Sequence, residues 1–150
     1  MTFRTESRIR ITTGVSEACA YLCDVARWPE WAPTVLECWL DGGGPLQPGS
    51  RIKQRAKGIL GTSRERSQNA TVVEAPRRLA FAGPMGTSAA RWGMEFEPND
   101  DGQTDAMMWI EVDLQGVMRV IPAGLLERRV QRVSDLEMVA IKAALESGGT

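Results

Sequence analysis

Histidine is absent from all 150 residues, and tyrosine occurs once, at Tyr21. Without imidazole, no triad or relay built on a histidine base is available. Proton transfer would fall to Asp, Glu, Lys, Cys or Tyr21. Cysteine is scarce: Cys19, Cys23 and Cys38 form an odd set that cannot all pair, and no export signal accompanies them. Cys19 and Cys23 stand at i, i+4, which would bring two thiolates together on a helix, but a closed metal site needs more ligands. They read as packing cysteines, so neither a metal nor a cofactor is expected. No apolar run approaches the roughly 20 residues of a membrane span, and Arg4 and Glu6 break any leader-like core. Neither sign of charge prevails. Eighteen Lys and Arg against nineteen Asp and Glu leave −1, which gives the whole molecule no reason to bind nucleic acid or an anionic membrane. A cytoplasmic location is the expectation.

What is present is ordinary in bulk and informative in order. Hydrophobic content of 43% and charged content of 25% suit one globular domain spanning 1–150. Residues 3–12 alternate, with Phe3, Thr5, Ser7, Ile9 and Ile11 on one face, as in a half-buried strand. Ser16 is a plausible N-cap for a short helix through Val25, followed by a helical turn holding Trp28-Pro29-Glu30-Trp31 and closed by Pro33. Six strand-like runs follow, at about 35–40, 50–57, 63–74, 77–83, 89–97 and 104–114, joined by Gly-, Pro- and Asn-rich turns. From Pro122 to Glu146 the period changes to that of a helix, with Leu126, Val130, Val133, Leu136, Ala140 and Ala144 in one stripe. A curved antiparallel sheet gripping a C-terminal helix is the expected α+β architecture, and its usual product is a cavity.

Several short segments carry a resemblance: Asp24 with Trp28-Pro29-Glu30-Trp31, Leu46-Gln47-Pro48-Gly49, Val73-Glu74-Ala75-Pro76-Arg77-Arg78-Leu79, and Asp101-Gly102-Gln103-Thr104, with the closing helix. On these the chain resembles the Bet v 1/START-like (SRPBCC) superfamily, especially its polyketide cyclase/dehydrase-like branch, over nearly its whole length. The resemblance implies a helix-grip fold: a seven-stranded curved sheet, two short helices and one long C-terminal helix around a cavity. It implies a small hydrophobic ligand such as a lipid, quinone or polyketide, while only some members are enzymes. Aromatase/cyclase members line their cavity with Tyr, His and Arg, whereas this chain has one Tyr, on the first helix, and no His.

Strand parity places the candidate site. Alternate connections of a meander lie at one end of the sheet. One such set carries Trp28, Trp31, Ile59, Leu60, Met85, Val117 and Met118, apolar side chains at loop tips that either ring a ligand mouth or plug the core. Alternation turns Ile52, Gln54, Ala56, Leu79, Phe81, Trp92, Met94, Phe96, Met108 and Ile110 inward, and for 63–74 it favours Ser67, Asn69 and Thr71. Trp109 then falls on the outer face, an exposure the sequence does not explain. Trp28 and Trp31 suit a packing clasp under the first helix or a stacking platform. On the last helix, Arg129 and Glu137 fall inside the apolar stripe beside Val133. Long charged side chains there snorkel to the rim or meet a polar group on a ligand.

The expected function is binding of a small hydrophobic molecule, without nucleic acid or a membrane span, in a monomer or homodimer. One alternative is a polyketide cyclase/dehydratase-like lyase, with Glu137 as acid/base and Arg129 steadying an oxyanion. Another is a protein-partner module similar to co-chaperone activator domains, docking through the basic row Arg51, Lys53, Arg55 and Lys57.

Overall fold

The computed structural model describes residues 2–57, 61–85 and 88–147, apart from the side chains of Met85, Val117 and Met118. Its strands are β1 (Thr2–Ile11), β2 (Val35–Leu40), β3 (Arg51–Lys57), β4 (Ser63–Glu74), β5 (Arg78–Met85), β6 (Ser88–Pro98) and β7 (Thr104–Asp113). They form one antiparallel sheet in the order β1-β7-β6-β5-β4-β3-β2. Six strands follow one another as a meander, and β1 closes the far side by pairing with β7. Two α-helices, α1 (Val15–Cys23) and α2 (Ala123–Ser147), and 3₁₀ segments at Val25–Glu30 and Gly116–Val120 complete the fold. This is the helix-grip arrangement that the element order predicts.

Two boundaries differ from expectation for local reasons. Gly14, not Ser16, occupies the N-cap of α1, and its carbonyl accepts the Ala18 N–H at 3.0 Å. The helix stops at Cys23 rather than Val25, where Asp24 leads directly into the 3₁₀ segment. Trp28 secures that join, since its indole Nε1–H donates to the Leu22 carbonyl at 2.8 Å and meets one of the acceptors that a helix end leaves open.

Bulges re-sort the faces of two strands. In β4, Arg66 pairs opposite Gln54 and Gln68 opposite Ile52, so both point to the concave side with those buried partners. Ala70, opposite Phe81, stays in that set. A register shift between Ala70 and Val72 then reverses the parity, and Val73 packs on the core opposite Leu79. The inward assignment therefore fails for Asn69 and Thr71, because uninterrupted alternation does not describe a bulged strand, while Ser67 still borders the cavity. A second shift in β2, between Val35 and Glu37, leaves Leu36 exposed between inward Val35 and Cys38.

The orientation of α2 also departs from its apparent stripe. Its buried residues are Ser134, Met138, Ile141 and Leu145, while Leu136 is 60% exposed. The expected stripe is turned to one side, so that Leu126, Val130 and Val133 face the concave space beside the sheet. The cause lies in how α2 is anchored. It packs mainly on β1 and runs along that strand's free edge. Gln131 Nε2 donates to the Glu6 carbonyl at 2.9 Å, Lys142 Nζ to the Arg10 carbonyl at 2.6 Å, and the Thr12 N–H to Glu146 Oε2 at 3.0 Å. Ser7 Oγ donates to Asp135 at 2.6 Å along the same seam. Helix side chains thus occupy the backbone groups that an edge strand would otherwise present to solvent.

Trp109 does lie on the outer face, and its setting accounts for it. It sits opposite Gly93, where a Cβ would come within 2.7 Å of the indole ring and 2.5 Å of the Leu79 carbonyl. The missing side chain is the space the ring fills. Arg4 covers the other side, its guanidinium carbon 5.1 Å from the ring centroid, and pairs with Glu111 at 2.8 Å.

Candidate functional site

Between the concave sheet, the Val25–Glu30 segment and the first half of α2 lies a cavity of about 410 Å³. This is within the range of small-molecule sites. Its floor is formed by Trp28, Trp31, Gln54 and Met108, all almost wholly buried. Gln68, Trp92 and Ile110 are partly accessible on the wall, and Ala32, Thr34, Val35, Ser67, Gly83, Pro84 and Ala90 also line the cavity. The helix contributes Leu126, Arg129, Val130, Val133 and Glu137.

One wall is aromatic. Trp92 stacks on Phe81 with centroids 4.6 Å apart, and Trp28 meets both edge-on, at 5.2 Å from Phe81 and 5.4 Å from Trp92. Trp31 completes the cluster at 5.8 Å from Trp28. The Trp28–Trp31 pair therefore clasps α1 and borders the cavity at once. Trp92 is oriented by its Nε1–H, which donates to Gln68 Oε1 at 2.7 Å.

The facing wall is polar. Arg66 Nε donates to Gln54 Oε1 at 2.9 Å, which fixes a guanidinium at the cavity. Glu137 approaches from α2. Burial pushes its carboxyl up to about 7, against the opposing pull of the Arg66 charge. Cys38, opposite Gln54, is a buried thiol raised to about 11 by loss of solvent, with the Gln54 hydrogen bond and the Arg66 charge acting the other way. Trp31 Nε1 is a buried donor without a protein acceptor among the described residues.

The expected site residues separate cleanly. Trp28, Trp31, Gln54, Trp92, Met108, Ile110, Arg129, Val133 and Glu137 all border this one cavity, which brings Arg129 and Glu137 to the same space. Phe81 and Met94 do not border it. Both are buried in the core, where Phe81 backs Trp92 and meets Trp28 edge-on. Ile59 and Leu60 lie outside the described residues, as do the side chains of Met85 and Val117. Residues that the sequence reading left out are Arg66 and Gln68, hidden by the β4 bulge, and Leu126 and Val130, placed only in the apolar stripe of the last helix. The pairing of Gln54 with Arg66 was the available signal, because two polar residues facing each other across a buried sheet face need a reason to be there.

Cys19 and Cys23 have sulfurs 4.0 Å apart on α1, and their shared hydrogen bond raises the Cys19 thiol and lowers that of Cys23. Among the described residues, no three Cys, Asp or Glu converge as a metal set would require. No helix of the described residues is long and apolar enough to cross a membrane.

Residues 2–146 match the family described as "Polyketide cyclase / dehydrase and lipid transport". The chain belongs to that family. No curated protein sequence matches it. Solved structures share the fold at low identity. A START superfamily protein from Mycobacterium smegmatis superposes with a TM-score of 0.76 at 12% identity, covering 96% of this chain and 97% of that one. Ara h 8.0201 gives 0.76 at 13%, covering 98% and 99%. The di-domain ARO/CYC StfQ of the steffimycin biosynthetic pathway gives 0.75 at 15%, covering 100% of this chain and 53% of that one. Identities this low carry the fold alone.

Proposed function

We propose that the chain binds a small, largely apolar molecule with an oxygen function at one end, held between the aromatic wall and the Gln54–Arg66–Glu137 side. The observation that carries this reading is the division of a single cavity into two chemistries: Trp92, Ile110, Met108 and Val130 on one side, Arg66 and Gln54 on the other. A wholly apolar ligand would leave Arg66 and Glu137 unmatched, and a wholly polar one would waste the tryptophans. The unpartnered Trp31 N–H offers a further donor, and a ligand oxygen accepting from it would recover roughly 1–3 kcal/mol of an unmet buried group. Family membership supports the same class, and a hydroxylated polycyclic aromatic is its simplest representative.

Titration with such a probe, followed by tryptophan emission and native mass spectrometry, tests the reading. A saturable one-to-one complex is expected, weakened when Ile110→Arg fills the cavity. A folded protein that binds no probe at micromolar concentration, and carries nothing on purification, overturns it.

A second reading, a cyclase/dehydratase-like enzyme, draws on a specific feature: a carboxyl titrating near 7 shares the cavity with Arg66 and Arg129. Such a carboxyl is suited to moving a proton near neutrality, with a guanidinium positioned for a developing oxyanion. Glu137→Gln would then abolish turnover while sparing affinity. Loss of affinity alone would return Glu137 to a binding role.

A further inference from the structure

The outward side of α2 is both apolar and basic, which the balanced charge of the chain conceals. Six large hydrophobic side chains are exposed among the described residues. Five of them, Val120, Leu125, Val133, Leu136 and Val139, lie on α2 or the 3₁₀ segment before it. At 100° per residue, Leu125, Leu136 and Val139 share less than half of the helix circumference with exposed Arg128, Arg129 and Arg132 and with Ala143. No Asp or Glu between 125 and 143 falls in that sector. Asp135 is turned to the β1 seam, where it accepts from Ser7 and Gln131, and Glu137 lines the cavity. None of the three arginines has an ion-pair partner among the described residues.

We propose that this face of α2 docks the protein on an anionic lipid surface. The arginines would sit at headgroup level, with Leu125, Leu136 and Val139 in the acyl boundary. An amphipathic helix with a cationic polar component is the form that lies in a bilayer interface. Position strengthens the assignment. Arg129 and Val133 are exposed and also line the cavity, so a docked helix brings that stretch of the cavity wall to the lipid. An apolar ligand could then pass without crossing bulk water. A second copy of the chain fits less well. Two-fold pairing of α2 sets like arginine clusters near one another, with no acid on the face to offset them.

Flotation of the full chain with phosphatidylcholine vesicles, with and without phosphatidylglycerol, tests the docking. Binding is expected only with phosphatidylglycerol, and it should weaken as salt rises. Each basic residue near an anionic surface is worth about fivefold in partitioning, so Arg128→Glu with Arg132→Glu should lower it on the order of thirtyfold or more. Leu136→Ser with Val139→Ser should lower it by about tenfold or more. Arg128, Arg132, Leu136 and Val139 do not border the cavity, so all variants should take up the aromatic probe normally in vesicle-free buffer. Wild-type protein that takes up probe but ignores anionic vesicles, or vesicle binding unchanged by the arginine reversals, overturns the docking and leaves the cavity reading standing. Vesicle binding without probe uptake leaves the docking standing and removes the ligand. A dimer dispersed by Leu136→Ser, with no vesicle binding, gives the face to a second copy and also overturns it.

Discussion

Two opposing influences act on Glu137, and burial outweighs the Arg66 charge. The folded chain keeps the proton up to about 7, whereas an ordinary glutamate releases it near 4.5. Between those values the folded state holds more protons than the unfolded one, so stability falls as pH rises through that window and stays lower above it. Glu137→Gln should flatten this slope and stabilise the protein above neutrality by about 1–3 kcal/mol. Urea midpoints measured across the window check it, and an unchanged slope would place the carboxyl in water. Ser134 poses a simpler question. Its hydroxyl is fully buried without a partner among the described residues, in the middle of the helix's packed face. Ser134→Ala removes an unmet polar group and improves helix propensity, for an expected gain of about 1 kcal/mol in the urea midpoint at constant slope. Gly93→Ala should go the other way, by roughly 1–3 kcal/mol, because the new methyl meets both the Trp109 ring and the Leu79 carbonyl. Shortening Trp109 as well should recover only part of that loss, since the carbonyl is backbone.

At the scale of elements, the order and spans of strands and helices were legible because the chain changes period where the fold changes element. What alternation could not reveal was any face set by a neighbour. The extra residue between Ala70 and Val73 divides β4 into a stretch that offers Arg66 and Gln68 to the cavity and another that gives Val73 to the core. The polar half of the site depends on that bulge. Helix α2 misleads for a related reason, because its apolar residues serve three surfaces: the core, the cavity and the outside. Its stripe averages them. The aromatic wall was more legible, since Trp28, Trp31 and Trp92 lie on elements whose direction was plain. The seam on β1 has a testable role of its own. Gln131→Ala with Lys142→Ala withdraws donors from the Glu6 and Arg10 carbonyls, so amides of β1 and α2 should exchange faster while those of β4 and β5 change little. Uniform acceleration would mean that the seam shares one cooperative unit with the sheet.

For the molecule as a whole, β1 is the landing strip of α2 as well as an edge of the sheet. Deleting residues 2–11 should therefore cost the helix along with the strand. Circular dichroism would show helical signal falling with the sheet signal, and a helix that persists would be held by the cavity wall instead. The same connection has a consequence in time. The helix α2 that walls the cavity and the strand β1 that holds it come from opposite ends of the described chain, with all the other strands between them. During synthesis at about 5–20 residues per second, β7 is complete a few seconds before the last turn of α2 exists. For that interval the part of the concave side that α2 covers is open, although α1 and the Val25–Glu30 segment already pack there, and β1 has no helix along its edge. The cavity is complete only after the final helix arrives, so the fold is first an open bowl and only later an enclosed space.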